Sequence, residues 1–419
     1  MSRSPGSWLL LSAGWALLAL GCELLAIAPS SAPATYNPAP EIATATALPT
    51  STPNPCPAKA EVPLPSRPDE FPDGYLAALR AYLAAGGDPA ELAELLESWE
   101  ALPPMGKGAL TTDLTGGGGW ELTVSLIDPL AETFPPPGMM AIYTCQTGEI
   151  ELLDVYPAEE YAYFYLVGSA DLTANGLDEL VFVEVYCGAH TCWHTAHVWA
   201  WDGVAFKEQL PADLFSLPYA DFWLEKGQIV GESGGIGSVG AGPQRPYREI
   251  WAWNGSVITQ TAEVWGTSEW RYHALRDGDT ALLAEDYDVA TEAYLRVLND
   301  TELQEYGLWY GEADEQLWLE ALAQWRLLTV ALQLGDIPDA EVRYDILSRL
   351  SFPADQPGHP VALLAQRFWE GYLETGNLPS SCLAAVEEPA AEEVLEFLNS
   401  FGYANSLYTV EELCPFLTQ

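Results

Sequence analysis

Hydrophobic and polar positions change their period twice past the N-terminal segments. From Asp69 to Leu102, apolar residues recur at three and four. The run Tyr75-Leu-Ala-Ala-Leu-Arg-Ala-Tyr-Leu-Ala-Ala closes on Gly86-Gly87, and Asp88-Pro89 follows as an N-cap with proline at the first helical position. This predicts a short helical hairpin over 69–104. Over 105–265 the alternation falls to every second residue, and Asp202-Gly203 and Asn254-Gly255 each follow alternating aromatics. Such pairs predict β-hairpins with primed turns. From Glu269 the helical period returns, giving a helical domain over 266–419. The fold class predicted is multi-domain α+β: an antiparallel, repeat-containing β domain followed by an α-helical domain.

The β region repeats itself. Asp113-Leu-Thr-Gly-Gly-Gly-Gly-Trp-Glu121-Leu-Thr-Val aligns with Asp171-Leu-Thr-Ala-Asn-Gly-Leu-Asp-Glu179-Leu-Val-Phe. Val198-Trp-Ala-Trp-Asp-Gly203 aligns with Ile250-Trp-Ala-Trp-Asn-Gly255. A period just over fifty residues suggests blade-like units. The stretch Asp171-x-Thr173-x-Asn175-Gly176-x-x-Glu179, followed by an apolar strand, resembles the calcium loop of FG-GAP and VCBS-type β repeats. That resemblance implies weak Ca²⁺ binding by Asp171, Thr173, Asn175 and Glu179. Thr173 and Asn175 stand where the family has acids, so affinity falls toward the millimolar range of extracellular modules. Gly117 replaces the fifth-position ligand in the first copy, which implies loss of the ion there. Without an ion, Asp171 and Asn175 would form an Asx-type turn on backbone amides.

In the helical region, Asp286-Tyr287-x-x-Ala290-x-x-x-Tyr294-x-x-x-Leu298 and Gly335-Asp336-Ile337-x-x-Ala340-x-x-x-Tyr344-x-x-Leu347 resemble the turn and second helix of tetratricopeptide (TPR) repeats. Ala321–Leu334 reads as the first helix of the second unit, and Gly376-Asn377-Leu378 as the turn of a third. The resemblance implies a small solenoid with a groove for peptides or helices.

Met1-Ser-Arg-Ser and the apolar run Trp8–Leu20 precede Leu18-Ala19-Leu20-Gly21-Cys22. Residues 1–22 resemble a bacterial lipoprotein signal peptide, which implies lipidation of Cys22; Ala19 departs from the branched aliphatic usual in that motif. Residues 29–68 are dense in Pro, Ala, Thr and Ser. They complete a spacer over 23–68, extended at about 3.1 Å per residue and roughly 100 Å long for forty residues. Seven cysteines include Cys22; the other six are an even set suited to an oxidising compartment. They allow 15 pairings. Cys187 with Cys192, and Cys382 with Cys414, are local pairs; Cys56 with Cys145 follows by elimination.

The chain has 419 residues, of which 49% are hydrophobic, enough for two or three domains with a sizeable core. Sixteen Lys and Arg face 60 Asp and Glu, a net charge of −44. That charge repels phosphate backbones and excludes nucleic acid as a partner class. It also favours a soluble monomer that attracts cations, so contact with the membrane is expected through the lipid anchor alone.

Residues 231–242, Gly-Glu-Ser-Gly-Gly-Ile-Gly-Ser-Val-Gly-Ala-Gly, match both G-x-S-x-G and G-x-G-x-x-G. The dinucleotide pattern needs a helix to begin inside it; Pro243 and Pro246 and then a strand follow instead. A nucleophilic Ser233 would need His197, held by Asp202 or Asp221, but only 36 residues separate His197 from Ser233. The stretch reads as a glycine-rich loop. His190, Cys192, His194 and His197 have zinc-ligand chemistry, but strand alternation puts His197 on the opposite face from the other three. No catalytic residue is assigned. The function expected is noncatalytic binding of a protein partner at the bacterial cell envelope through the TPR-like domain. The alternatives are Ca²⁺-assisted glycan or polymer binding through the Trp-rich β domain, and a serine hydrolase at Ser233. The whole arrangement resembles uncharacterised bacterial envelope lipoproteins.

Overall fold

The structure is a computed structural model and describes residues 56–145, 148–158, 161–211, 215–351 and 353–416. The signal-like segment 1–22 with Cys22, and the spacer as far as residue 55, lie outside the described residues. Antiparallel sheets make up the N-terminal half and helices the C-terminal half.

Residues 56–68 share the spacer's composition, yet they lie against the fold. Cys56 is joined to Cys145, with Cα atoms 5.7 Å apart. The Trp99 indole donates to the Pro65 carbonyl at 3.0 Å, and Ala60 N donates to Gly86 O at 2.8 Å. These contacts pin residues 56–68, the described end of the spacer, to the fold. Helices α1 (Asp73–Ala84) and α2 (Leu92–Ser98) follow, with the Asp88 side chain accepting Ala90 N between them.

Three sheets come next, each a meander of strands in sequence order. Sheet I holds β1 (Ala109–Thr112), β2 (Glu121–Ile127), β3 (Gly138–Thr144) and β4 (Glu151–Pro157). Sheet II holds β5 (Ala162–Ala170), β6 (Glu179–Cys187), β7 (Cys192–Trp201) and β8 (Phe206–Glu208), with β9 (Ser216–Pro218) also paired to β7. Sheet III holds β10 (Asp221–Glu225), β11 (Gln228–Glu232), β12 (Tyr247–Trp253) and β13 (Ile258–Trp265). The repeated segments occupy equivalent turns. The Asp113 and Asp171 loops each join the first strand of a sheet to the second, and Asp202-Gly203 and Asn254-Gly255 each join the third to the fourth.

The layers share their side chains. Tyr75, Leu79, Leu95 and Trp99 of the hairpin pack on Leu122, Val124 and Tyr143 of sheet I. Met140 and Ile142, on the other face, pack on Phe164, Phe182 and Trp199 of sheet II. Val181, Val183 and Val198 meet Phe222, Ile229 and Trp251 of sheet III. Sheet I is covered on both faces, so every residue of β2 and β3 is buried, including the polar Thr123 and Ser125. Ser125 uses its hydroxyl to donate to Phe164 O at 2.6 Å, tying sheet I to sheet II. The tryptophans Trp199 and Trp251 belong to this core, not to the surface.

The helical half contains α3 (Arg271–Leu283), α4 (Tyr287–Asn299), α5 (Glu312–Leu334), α6 (Ile337–Asp345), α7 (His359–Thr375), α8 (Leu378–Val386), α9 (Ala390–Leu398) and α10 (Val410–Leu413). Short polar side chains start these helices: Asp286 accepts Val289 N, Asp336 accepts Asp339 N, and Asn377 accepts Ser380 N. Gly335 and Gly376 end α5 and α7 in the left-handed conformation, at φ +75° and +61°. One core runs through the set, with Trp318, Trp325, Phe368 and Phe397 buried in it. Inside it the Arg326 guanidinium bonds Asp279 at 2.8 Å and the carbonyls of Leu413 and Glu412 at 2.5 and 2.8 Å. Cys382 of α8 is joined to Cys414, so the C-terminal segment is held twice.

Candidate functional site

In the Asp171 loop the acids accept hydrogen bonds from the loop itself, Glu179 from a buried position and Asp171 from an exposed one. Glu179 is buried and accepts Leu172 N at 2.7 Å, Thr173 N at 3.2 Å, Thr173 Oγ1 at 2.7 Å and Asn175 Nδ2 at 3.3 Å. Asp171 accepts the amides of Asn175 and Gly176, and Asn175 Oδ1 accepts Leu177 N. The first copy repeats the scheme: Glu121 accepts Leu114 N, Thr115 N, and the hydroxyls of Thr115 and Thr144, while Asp113 accepts Gly116 N and Gly118 N. A calcium ion needs oxygens converging on a common centre. Here the carboxylate oxygens accept N–H and O–H donors of the loop and of the neighbouring strand, the arrangement of an Asx-type turn.

Cys187 and Cys192 close the β6–β7 hairpin as a disulfide, with Cα atoms 3.9 Å apart. His194 is buried with Nδ1 2.6 Å from Ala220 O, and burial holds its pKa below the usual value. His197 points to the other face, stacks on Phe182, and lies 2.8 Å from Glu208 and 3.7 Å from Glu184. Burial alone would lower its pKa, but the two carboxylates outweigh burial and raise it to about 9. Asp202 accepts Val204 N and Ala205 N in its own turn, and Asp221 faces Glu232 across β10 and β11. Ser233 Oγ accepts Gly235 N at 3.2 Å. None of His197, Asp202 and Asp221 is a hydrogen-bond partner of Ser233.

The glycine-rich stretch joins β11 to β12 and closes on the helical half. Tyr403 N donates to Gly240 O at 3.2 Å and Ala404 N to Ala241 O at 3.1 Å. The Tyr306 hydroxyl donates to Val239 O at 2.5 Å. Asn405 then bridges three segments: its amide donates to the carbonyls of Pro243 and Phe401, and its Oδ1 lies 3.1 Å from His273 Nε2. His273 Nδ1 is 2.7 Å from Ser268 Oγ, so both ring nitrogens are engaged, and burial lowers its pKa. Glycine is required where the two segments touch. Gly242 sits at φ +88° and Gly402 at φ +84°, and a side chain on either would enter the backbone of the other segment.

Two depressions border this clasp. One is a groove of about 760 Å³ between the Val239-Gly240 tip and the helical half. Leu308, Trp309, Tyr310, Tyr403 and Leu407 line it together with Glu396. Trp309, Tyr403 and Leu407 are 69, 64 and 66% exposed. The other is a cleft of about 450 Å³ that Ser233, Tyr247, Trp265 and His273 help to line. Trp309 and Tyr403 were not among the sequence candidates. Their one local sign is Gly307-Leu-Trp-Tyr-Gly311, an apolar run between glycines that follows no helical or strand period.

Compared with known proteins, the chain matches no family model and no curated protein.

Proposed function

We propose that the chain is a noncatalytic binding protein of the bacterial cell envelope, exported, lipid-anchored at Cys22, and docking a protein partner on its helical half. The groove beside the clasp carries this reading. Four apolar side chains, those of Val239, Trp309, Tyr403 and Leu407, stand more than half exposed around one depression. Contiguous exposed apolar surface of this kind marks interaction sites, and aromatic side chains are the usual anchors. Glu396 adds one negative charge, and the whole chain carries −44, so the partner segment is apolar with basic flanks.

The TPR-like reading of the helices gains support from α3 and α4. Tyr294 of α4 packs over Gly278, where a Cβ would stand 2.4 Å from the ring. Small-to-aromatic contacts of this kind let the paired helices come close.

A photo-crosslinking residue placed at Leu308 in the full chain, in native envelope, tests the proposal. The same residue at Val204, 85% exposed on the β7–β8 turn, is the control. A discrete polypeptide adduct from position 308 and none from 204 supports groove docking. Adducts from both positions, or from neither, overturn it.

A further inference from the structure

The cleft on the other side of the clasp has a charge arrangement that the partner groove does not explain. Glu249 of β12 and Glu263 of β13 are direct cross-strand partners, and both line the cleft. Like charges in that relation destabilise a sheet. The arginines around them are already matched: Arg245 bonds Asp277 at 2.6 Å, Arg276 lies 3.5 Å from Glu412, and Arg248 pairs with Glu232. Among the described residues, no cation pairs with Glu249 or Glu263. The Trp251 indole donates to Glu249 at 2.9 Å, which orients that carboxylate without neutralising it. Desolvation, reinforced by Glu263, raises the Glu249 pKa despite that bond.

Aromatic walls stand beside the two acids. Tyr247 and Trp265 are the next cross-strand pair on the same face, with ring centroids 4.7 Å apart. Trp193 and Tyr272 add two more rings. Trp265 already holds a cation, since the Arg245 guanidinium lies 5.1 Å from its centroid. The volume of about 450 Å³ suits a small molecule or a single side chain. Two carboxylates fall well short of the roughly 6–8 oxygens calcium takes, and aromatic rings supply none.

We propose that this cleft binds an organic cation, an ammonium or guanidinium group on an apolar or aromatic body. Glu249 and Glu263 take the charge, and Tyr247 and Trp265 take the body. The cleft shares no lining residue with the partner groove, so the two proposals stand or fall separately. The cation comes either from a free amine or from an arginine or lysine side chain.

Calorimetric titration of the full chain tests this with three probes: phenethylammonium, a blocked Phe-Arg dipeptide amide, and phenylacetate as the anionic control. Saturable binding of a cation, no binding of phenylacetate, and an affinity at least about tenfold weaker in the Glu249→Gln/Glu263→Gln variant are expected. Tighter binding of the dipeptide assigns the site to a side chain; tighter binding of the amine assigns it to a free ligand. Failure of both cations to bind, or equal affinity in the variant, overturns the proposal. The exposed Glu263→Gln single variant gives the same readout should the double variant not fold.

Discussion

Gly242 lies directly against the main chain of Phe401: a Cβ on Gly242 would stand 1.6 Å from the Phe401 carbonyl oxygen. The opposite segment matches it, because a Cβ on Gly402 would meet the Ala241 carbonyl carbon at 2.4 Å. The twelve residues that match two catalytic signatures therefore have, at Gly242, a packing reason for glycine. They hold the sheets to the helices and help to frame both depressions.

Substitution at the clasp separates packing from backbone strain. Gly242→Ala meets both, and is expected to cost more than about 3 kcal/mol or to open the clasp. Gly255, in the β12–β13 turn, has φ +101° and nothing within 4 Å of a Cβ. Gly255→Ala should cost only the strain, about 1–2 kcal/mol. Denaturant unfolding of the two variants checks this; equal losses would mean that the close approach carries no weight.

The buried ion pair of the helical half fixes its far end. Asp279 accepts Arg326 Nε at 2.8 Å and the hydroxyls of Tyr294 and Tyr408 at 2.8 and 2.9 Å. Arg326→Met leaves a buried carboxylate without its cation, and breaking such pairs costs about 3–5 kcal/mol. It also frees the carbonyls of Glu412 and Leu413. Unfolding of Arg326→Met should show that loss, together with faster amide exchange around α10; a loss under about 1 kcal/mol would contradict it.

In the Asp171 loop, stability should follow the carboxylate rather than an ion. Glu179→Gln removes an acceptor that serves four donors and is expected to destabilise by about 1–3 kcal/mol. Millimolar Ca²⁺ or EDTA should leave the unfolding temperature of the unsubstituted chain unchanged. A rise with Ca²⁺ that vanishes in Asp171→Asn would favour the calcium reading instead.

His197 sets an alkaline window. Outweighing its burial, Glu184 and Glu208 raise its pKa to about 9 in the folded state, against 6.5 for an ordinary histidine. A raised folded value means the contribution is complete below about pH 6.5 and is lost as the pH rises through about 9. At pH 6 the unsubstituted chain should exceed His197→Gln by about 2–3 kcal/mol, and the gap should close above about pH 10. His194 and His273 act oppositely: burial lowers both, so their contribution is present above about pH 6.5 and is lost in acid. A gap independent of pH would place the His197 effect in packing on Phe182.

The order of a β half and a helical half was legible because each leaves a local period. Alternating aromatics before Asp202-Gly203 and Asn254-Gly255 require only neighbouring strands, and Asp286, Asp336 and Asn377 cap helices with their own side chains. The Asp171 loop was legible as a turn of acceptors, but a carboxylate that accepts N–H groups and one that holds a cation leave the same letters. The groove left almost no local trace. Val239, Trp309 and Tyr403 come from three distant segments, and only the closure of the clasp brings them together. Sheet I was harder to read by alternation because both of its faces are covered, so polar Glu121, Thr123 and Ser125 are as buried as their apolar neighbours.

The most direct test of partner docking is the affinity of the polypeptide crosslinked from position 308, purified and titrated against the full chain. Trp309→Ala, at a side chain 69% exposed, should weaken binding by at least about tenfold while leaving the unfolding temperature unchanged. Val204→Ala should bind like the unsubstituted chain. Equal affinity for Trp309→Ala and the unsubstituted chain would contradict the groove as the docking site.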